Sequence, residues 1–466
     1  MTLNQDYCSM FVGTETTVPL LDGSTTRYIN FDNAASTPPL KAVQQAVNDF
    51  LPYYSSVHRG TGYKSQLSTH MYEEARRITQ KFVGADEDTH TCIFGKNTTE
   101  AINKLARRFP FTDQRGLVLT TAMEHHSNDL PWRAQAEVVH IGLHPDGRLD
   151  MGDFEAKLAE NADRVALVSV TGGSNVTGFI NPIHDLAEMV HSVGAYFMAD
   201  CAQLAPHRQV EMLSLDDPRH IDFVSLSGHK LYAPFGSGAL VGRRDIFEHG
   251  TPDMVGGGVV EVVTLDDVTW AAPPDRDEAG SPNHVGAIAM AAAEATLMEI
   301  GMANVAAHEA ELTTHALQRL PEVDGIELFG DTNPANAAQR LGVIPFSLTH
   351  VNHFKVAAIL GHEFGIGVRN GCFCAHPLIL HLLKVDKETA EHVRTEMMNN
   401  NRTNLPGLIR MSFGLYNTTE DVDRFIEALK AVSAGEYQGE YVQDPASGEF
   451  HPKGWQPEFE NFYSLA

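Results

Sequence analysis

The stretch RVALVSVTGGSNVTGFINPIHDLAEMVHSVGAYFMAD (164–200) contains the pattern that decides the fold. Two apolar runs, RVALVSVTG (164–172) and AYFMAD (195–200), predict buried strands. Between them, PIHDLAEMVHSVG (182–194) has apolar residues at helical spacing. A strand, a helix and a second strand in this order predict a parallel pair joined by a crossover helix.

The same alternation extends outward from this unit, from about residue 90 to 245. It predicts an α/β fold with a mainly parallel, seven-stranded sheet covered by helices. Ligands in such sheets lie beyond the carboxyl ends of the strands, so functional residues should follow strands. The other candidate strands are TCIFG (91–95), GLVLTTA (116–122), EVVHIGL (137–143), DFVSLSG (222–228) and GALVGRR (238–244).

The Pro- and Gly-bearing stretch AAPPDRDEAGSPN (271–283) interrupts the alternation, and the helix-like HVGAIAMAAAEATLMEIG (284–301) follows it as a bridge to a second domain. The C-terminal residues 436–466 have little periodicity, which predicts an arm packed on the body or partial disorder. We expect an N-terminal arm at 1–27 that packs with the small domain, a large domain at 28–285, a smaller α+β domain at 286–435 and an extension at 436–466.

The bulk composition narrows the class of protein. Lys and Arg total 34 against 60 Asp and Glu, and a net charge of −26 argues against nucleic acid as a partner. A salt-rich habitat would also favour such a surface. No run of about 18 apolar residues predicts a membrane span, and the N-terminus has no secretory pattern, so a cytoplasmic protein is expected. Five scattered cysteines indicate reduced thiols.

Lys230 lies just beyond a predicted strand, in SLSGHKLYAPFGSGAL (225–240). A lysine there can form an imine with an aldehyde if burial or a neighbouring charge lowers its pKa. Ser227, His229 and the glycines beside it suit hydrogen bonds to a phosphate. The alternative for Lys230 is a solvated surface charge.

Asp200 ends the apolar strand AYFMAD, where an unpaired carboxylate would be costly. A protonated pyridine nitrogen is a natural partner, because the ion pair keeps the ring an electron sink. Gln203, three residues later, could donate to the phenolic oxygen of such a ring. The alternative for Asp200 is a helix N-cap.

Three further segments place polar side chains after strands or at a helix start. Thr98 and Thr99 begin a predicted helix, whose N-terminus favours phosphate, although simple caps look the same. His125 or its neighbour His126 could stack on a flat cofactor or move protons; an ordinary hydrogen-bonded pair is the alternative. Asn175 could be a turn residue.

Taken together, the motifs between residues 28 and 430 resemble the cysteine desulfurase and selenocysteine lyase family of the class V aminotransferase fold group. The resemblance implies the type I fold of enzymes that depend on pyridoxal 5'-phosphate. The matching segments, in family order, are YINFDNAASTPP (28–39), SSVHRGTGY (55–63), NTTEAIN (97–103), MEHHSN (123–128), SNVTGFINP (174–182), ADCAQ (199–203), SLSGHK (225–230), EAGSPN (278–283), VRNGCFCAHPL (368–378) and IRMSFGLYNTTEDVD (409–423).

The resemblance also implies roles for individual residues at a pyridoxal-phosphate site. Lys230 would be the Schiff-base lysine, Asp200 the partner of the pyridinium, and His125 the catalytic histidine stacked on the ring. One phosphate contact, Ser281, would come from a neighbouring subunit, which implies a homodimer. The ring-oxygen contacts would be Gln203 and Asn175, and the phosphate contacts Thr99, Ser227 and His229, with Thr98 contributing backbone.

For the substrate, the resemblance implies that Arg410 binds a carboxylate, with Arg369 close by. Cys374 would attack the sulfur of L-cysteine, carry it as a persulfide and pass it to an acceptor protein or thiol, leaving alanine. The alternatives are a related lyase or aminotransferase acting on selenocysteine, cysteine sulfinate or another S-substituted amino acid, and an inactive scaffold homologue.

Three departures from the family pattern concern the neighbourhood of Cys374. Cys372 stands where many relatives carry histidine, and it could share the work of Cys374 or oxidise with it. The segment 384–407 is longer than usual, and the tail beyond 436 has no clear counterpart. Cys372, Cys374 and His376 have alternate spacing, but no second ligand pair is visible, so no metal is predicted.

Overall fold

The helices and strands described below come from a computed structural model that describes residues 6–58 and 60–465. Residues 1–5 of the predicted N-terminal arm, Arg59 of the SSVHRGTGY segment and Ala466 of the predicted extension lie outside this part of the chain.

The secondary structure alternates between helices and strands along the chain. The helices are α1 (Lys41–Phe50), α2 (Tyr63–Phe82), α3 (Thr98–Arg108), α4 (Leu130–Arg133), α5 (Met151–Glu160), α6 (Ile183–Ser192), α7 (Arg244–Phe247), α8 (His284–Ile300), α9 (Met302–Arg319), α10 (His353–Phe364), α11 (His376–Leu382), α12 (Lys387–Met398) and α13 (Thr419–Ala434). The strands are β1 (Thr17–Pro19), β2 (Thr25–Arg27), β3 (Ile29–Asn30), β4 (His90–Gly95), β5 (Leu117–Thr121), β6 (Glu137–Ile141), β7 (Val165–Thr171), β8 (Tyr196–Asp200), β9 (Phe223–Ser227), β10 (Gly238–Arg243), β11 (Val260–Val263), β12 (Val268–Trp270), β13 (Ile326–Leu328), β14 (Val343–Leu348), β15 (Ile366–Gly367), β16 (Arg369–Gly371), β17 (Leu408–Ser412), β18 (Tyr441–Gln443) and β19 (Phe450–Pro452).

The seven predicted strands form one seven-stranded sheet in the order β4-β10-β9-β8-β7-β5-β6. The pairs β5–β6, β5–β7, β7–β8 and β8–β9 are parallel, while β10 runs antiparallel to both of its neighbours. Strands β5, β7 and β9 are buried along their whole length, as expected for a sheet covered on both faces. The prediction of an α/β fold with a mainly parallel, seven-stranded sheet is therefore confirmed.

The carboxyl ends of the parallel strands meet at one edge of this sheet. Thr121, Thr171, Asp200 and Ser227 are the last residues of β5, β7, β8 and β9. Helix α3 begins close to the same edge, because the backbone N–H of Thr98 donates to Ser227 Oγ at 2.9 Å. Polar side chains from separate parts of the chain are thus collected where ligands of such sheets bind.

Helix α8 packs against α1 and α2 on one face of the large sheet, and it is buried along most of its length. Its sequence, HVGAIAMAAAEATLMEI, is apolar on nearly every side because neighbours cover it all round. Within residues 6–58 and 60–465, no single helix is long and apolar enough to cross a membrane. The helical segments His284–Ile300 and Met302–Glu322, with a bend of 80° between them, are together long and apolar enough to do so, by length and composition alone.

A second sheet, in the order β13-β14-β17-β16, lies C-terminal to α8. It encloses a hydrophobic cluster separate from that of the large sheet, with α9, α10 and α13 packed around it. The N-terminal segment contacts this part of the molecule, since Arg27 pairs with Asp421 and the Leu21 N–H donates to the His362 carbonyl. The boundaries of the proposed domains stay a prediction.

The unusual segment 384–407 and the C-terminal tail pack on each other. The segment forms α12 and a following loop, and the tail forms the hairpin β18–β19. The Arg402 N–H donates to the Pro445 carbonyl at 2.8 Å, and Gln443 Nε2 donates to the Thr403 carbonyl at 3.0 Å. Of the two predictions for the tail, the structure has the packed arm.

Phe31 anchors the second hydrophobic cluster, with no exposed surface and edge-to-face contacts to Phe413 and Phe425. We expect Phe31→Ala to lower the free energy of unfolding by about 3–5 kcal/mol, because the lost ring leaves a cavity. Urea denaturation followed by fluorescence measures the change. Phe462→Ala, at a side chain 61% exposed, is the control and should change it by less than about 0.5 kcal/mol. Equal effects of the two substitutions would contradict the packing described.

Candidate active site

A cavity of about 280 Å³ opens at the carboxyl edge of the large sheet. Every residue predicted for the site except Ser281 lines it. These residues are Thr98, Thr99, His125, Asn175, Asp200, Gln203, Ser227, His229, Lys230, Arg369, Cys374 and Arg410. Segments from the whole length of the chain thus supply one cavity.

Lys230 lies in the tight turn that follows β9, where its backbone N–H donates to the Ser227 carbonyl at 3.1 Å. Removal of the amine from water lowers its pKa to about 8, although the negative charge of Asp200 opposes this shift. About a tenth of the amine is therefore neutral and nucleophilic at pH 7, far more than for an ordinary lysine.

Asp200 is buried at the end of β8, and burial raises the pKa of its carboxyl. Its Oδ1 accepts from the Ala202 N–H at 3.0 Å and from Ser225 Oγ at 3.4 Å, and the charge of Lys230 also favours the ionised form. A bound cation in the cavity would stabilise this carboxylate further.

Hydroxyl groups surround the N-terminus of α3 at one end of the cavity. The Asn97 side chain caps the helix by accepting from the Glu100 N–H, and Thr99 Oγ1 lies 2.6 Å from Ser127 Oγ. Thr98 Oγ1 is buried and has no hydrogen-bond partner within the described residues. Hydroxyls beside the N–H groups of a helix start form a suitable site for an anion.

The two histidines of MEHHSN have different surroundings. Burial and the positive charge of Lys230 lower the pKa of His125 to about 3, so its imidazole is neutral. His125 Nδ1 accepts from the Ser127 N–H at 3.1 Å, which leaves the proton on Nε2. His126 instead contacts the cysteine loop: its N–H donates to the Cys374 carbonyl at 2.7 Å, and its ring stacks on that of His376.

The two thiols of the loop between β16 and α11 face different cavities. Cys374 is exposed and lines the cavity that contains Lys230. Cys372 is buried, its Sγ donates to the Pro406 carbonyl at 3.2 Å, and it lines a separate cavity of about 540 Å³ beside α12. Burial raises the pKa of Cys372 to about 11, so its thiol is protonated at neutral pH.

Arg410 is buried on β17 and already has two partners. Nη1 donates to the Asn175 carbonyl at 3.0 Å, and Nη2 donates to Asp32 Oδ1 at 2.8 Å. Arg369 Nη1 lies 3.9 Å from the other oxygen of Asp32. Arg410 Nε is buried and has no partner within the described residues, so one donor of this guanidinium remains for a ligand.

The predicted amide contacts are engaged with the protein backbone. Gln203 Nε2 donates to the Ala34 carbonyl at 2.6 Å, and Asn175 Nδ2 donates to the Phe373 carbonyl at 2.8 Å. Each amide nitrogen has a second hydrogen available to a ligand.

Ser281 lies in a different cavity of the same chain, of about 720 Å³, with Tyr54 and His58. The structure does not bring this serine to its own chain's Lys230. Its role across a subunit interface stays a prediction.

Sequence reasoning missed several residues of the site. Asp32, Asn97 and Ser127 lie inside motifs that carried the resemblance, so their position in the sequence already indicated that they could belong to the site. Phe373, which stands between the two cysteines, lies in such a motif as well, but nothing in the sequence indicates its contact with Arg410. The residues that line the cavity and were not predicted are Ala34, Ala35, Asn97, Ser127, Thr171, Ala202 and Phe373.

One group of potential metal ligands occurs within the described residues, at the opposite edge of the sheet. His191 Nε2 and His220 Nε2 lie 2.9 and 3.2 Å from the oxygens of Asp222. The two imidazole rings stack at 4.0 Å with 18° between their planes, so their lone pairs run side by side instead of converging on one point. Arg243 and the Phe197 N–H also contact Asp222, which satisfies its charge.

The pKa of Lys230 provides a test of this electrostatic arrangement. In cofactor-free protein, the acetylation rate of Lys230 should rise with pH and reach half its maximum near pH 8. Asp200→Asn removes the charge that opposes the effect of burial, so the midpoint should move to lower pH. Peptide mass spectrometry measures the rate, and the exposed Lys387 in the same digest controls for the reagent. An unchanged or higher midpoint would show that Asp200 does not act on this amine.

Comparison with known proteins identifies the family of the chain. A family model described as aminotransferase class-V matches residues 29–425. A cysteine desulfurase of Haloferax volcanii is 35% identical over 419 residues, which cover 88% of this chain and 90% of that protein. One of Dickeya dadantii is 34% identical over 411 residues, covering 86% and 91% of the two chains.

Solved structures agree with the sequence relatives. The apo cysteine desulfurase of Thermococcus onnurineus NA1 has a TM-score of 0.75 and 32% identity, covering 88% of this chain and 95% of that one. The cysteine desulfurase CsdA of Escherichia coli, described as an S-sulfonic acid form, has a TM-score of 0.73 and 27% identity, covering 93% and 98%. The chain therefore belongs to the class-V aminotransferase family and, within it, to the cysteine desulfurase group.

Proposed function

We propose that this chain is a pyridoxal-phosphate-dependent cysteine desulfurase, which converts L-cysteine to L-alanine and carries the sulfur on Cys374. One observation carries the proposal: a lysine amine of lowered pKa, an exposed thiol and a buried arginine edge open on the same cavity. Membership of a family of pyridoxal-phosphate enzymes, with relatives named cysteine desulfurases, supports it.

The residues of the cavity fit pyridoxal phosphate. The unpartnered hydroxyl of Thr98, with Thr99, Ser227 and His229, would hold the phosphate at the start of α3. Asp200 would pair with the ring nitrogen at the other end. When bound, the cofactor supplies an aldehyde that condenses with amines and a protonated ring that withdraws electrons from the substrate's Cα.

The remaining contacts to pyridoxal phosphate would come from His125, Asn175 and Gln203, which line the same cavity. The neutral ring of His125 offers a flat face for stacking on a heteroaromatic ring, and it adds no competing positive charge. Asn175 and Gln203 each have a spare amide hydrogen for a ring oxygen.

Arg410 would bind the substrate carboxylate through Nε, which has no partner among the described residues, together with Nη2, which it would share with Asp32. Arg369, at 54% side-chain exposure, adds positive charge at the mouth of the cavity. Together these side chains orient an α-amino acid so that its amine lies toward Lys230.

Lys230 would move the proton at the substrate's Cα. The burial that lowers the pKa of its free amine to about 8 would let that amine accept a proton near neutral pH. The burial that lowers its pKa also keeps bulk water from competing as a proton donor.

Cys374 would take the sulfur. Its Sγ attacks the substrate sulfur, the new S–S bond forms as the substrate's Cβ–S bond breaks, and the electron pair of the broken bond stays on carbon. Protonation of that carbon skeleton gives alanine, and a persulfide remains on Cys374. An acceptor thiol, free or on a protein, then attacks the outer sulfur and regenerates the thiol.

We also propose that the active form is a homodimer. The segment 254–268, with the hairpin β11–β12, exposes a run of apolar side chains, which indicates a surface that another chain covers. Ser281 lies in a cavity beside this hairpin, and under this proposal it would meet a second copy there. The exposed apolar residues are Met254, Val255, Val262, Val263, Leu265 and Val268. A cytoplasmic location stays a prediction from the sequence.

Cys374→Ala tests the reaction. We expect the protein to bind pyridoxal phosphate and keep a yellow band that borohydride bleaches, while sulfide release from saturating L-cysteine with reductant falls at least about 100-fold. Cys8→Ala, at a thiol outside the cavity, is the matched control and should keep full activity. Undiminished activity of Cys374→Ala would defeat the proposed role of this thiol.

The wild-type protein separates the rival functions in the same assay. Alanine and sulfide should appear from L-cysteine faster than product appears from cysteine sulfinate or S-substituted cysteines. A faster reaction of one of these compounds would assign the site to a related lyase. A colourless protein that takes up no pyridoxal phosphate would assign it to an inactive scaffold.

The proposed dimer can be tested on the hairpin. Val262→Glu combined with Val263→Glu places two charges on the apolar surface, so the mass in solution should fall to that of one chain. Multi-angle light scattering measures the mass. Met398→Glu changes another exposed apolar side chain, on α12, and should leave the dimer intact. A wild-type monomer, or a double variant that stays dimeric, would exclude this interface.

A further inference from the structure

The loop between β16 and α11 has a left-handed backbone conformation at two consecutive residues. Phe373 has φ +50° and Cys374 has φ +54°, in the left-handed region that residues with side chains rarely adopt. A conformation of this kind costs free energy, and it persists only where surrounding contacts enforce it. The contacts that hold these two residues therefore decide where the Cys374 thiol lies.

Phe373 has the contacts that enforce this turn. Its side chain is only 7% exposed, and its ring lies against the guanidinium of Arg410, with 4.9 Å between the ring centroid and Cζ. A guanidinium over an aromatic face is attracted by the ring quadrupole, most strongly where water is excluded. The Phe373 carbonyl accepts from Asn175 Nδ2 at 2.8 Å, so both ends of the residue are fixed.

Hydrogen bonds hold the guanidinium of Arg410 on the sides that Phe373 does not contact. Its Nη atoms donate to the Asn175 carbonyl and to Asp32, so Arg410 has little freedom to follow the loop if the loop moves. Phe373 packs on the guanidinium of Arg410, whose Nε is buried and has no partner among the described residues. Because Arg410 also lines the cavity, Nε is the donor that a carboxylate would engage.

Cys374 depends on Phe373 more than on its other neighbours. On its C-terminal side, the Cys374 carbonyl accepts from the His126 N–H at 2.7 Å, which fixes the backbone. The thiol itself is exposed and has no fixed partner among the described residues. The direction of the side chain therefore follows from the twisted backbone that Phe373 maintains.

We propose that Phe373 is a positioning residue that holds the Cys374 thiol at a set distance from the carboxylate-binding edge of Arg410. The inference rests on the proposed function, which assigns the substrate carboxylate to Arg410 and the substrate sulfur to Cys374. In cysteine only Cα and Cβ separate the carboxyl carbon from the sulfur, so a single residue that contacts both protein groups sets the required spacing. Phe373 contacts the guanidinium of Arg410 and directly precedes Cys374, and the proposal gives it no part in the chemical step.

Two reactions of the holoenzyme separate this role from a general structural one. Release of sulfide from L-cysteine needs Cys374, whereas exchange of the Cα hydrogen of L-alanine with D₂O needs Lys230 and Arg410 but no thiol. Phe373→Leu keeps an apolar side chain and removes the aromatic face, and Phe373→Tyr keeps that face. Both kcat and KM are measured for each reaction, with melting temperatures as a check on folding.

Phe373→Leu should lower kcat for sulfide release about tenfold, the scale expected from loss of one desolvated cation–π contact. Phe373→Tyr should retain kcat within about threefold, because it restores the aromatic face. In Phe373→Leu, kcat for alanine exchange should fall clearly less than kcat for sulfide release, because exchange uses no thiol. This split between the reactions, with rescue by tyrosine, supports the proposal.

Four outcomes would overturn it. A parallel fall in alanine exchange would mean that Phe373 acts on Arg410 or on folding, and equal activity of the leucine variant would mean that it positions nothing. Equal loss in the tyrosine and leucine variants would exclude the aromatic contact. A wild-type protein that exchanges alanine but releases no sulfide from cysteine would overturn the proposed function as well, and this distinguishes the two failures.

Discussion

The parallel pairing of β8 with β9 is the constraint on which the rest of the site depends. It sets Asp200 opposite Ser225, so the chain that leaves β9 carries Ser227 and Lys230 past the buried carboxylate. Neither charge would be tolerated alone at this depth, and each lowers the cost of burying the other. A slip of one residue would turn the side chains of β9 to the other face and remove the serine that meets α3.

Much of this arrangement could be predicted from the sequence, because the signals are local. The run AYFMAD (195–200) becomes Tyr196–Asp200, and the residue that ends a predicted strand lies at the functional edge of the sheet. Side-chain partners could not be predicted in this way. Asn175 donates to the carbonyl of Phe373, far away along the chain, and no periodicity or turn signal encodes such a contact. The motif positions gave the members of the site but not their hydrogen bonds.

The segment 384–407 and the tail show a second limit of sequence reasoning. Neither has a clear counterpart in the family pattern, and the hydrogen bonds that join them end on backbone carbonyls such as those of Pro445 and Thr403, which every residue carries. The segment 384–407 lies beside the cysteine loop, where Cys372 donates to the Pro406 carbonyl. This contact explains why two thiols two residues apart have different surroundings: Cys372 is buried against the segment, while Cys374 faces the cavity that contains Lys230.

The charge of the cavity departs from that of the chain as a whole. Against a net charge of −26, the cavity has Lys230, Arg369 and Arg410 around it. Asp32 already neutralises part of the arginine pair, at 2.8 Å from Arg410. Under the proposed function this moderation has a use, because cysteine and alanine carry the same carboxylate. An arginine that bound this group as strongly as possible would hold product as tightly as substrate, and such uniform binding does nothing for turnover. The internal carboxylate weakens both equally, and the distinction between substrate and product is left to the sulfur and to the thiol that meets it.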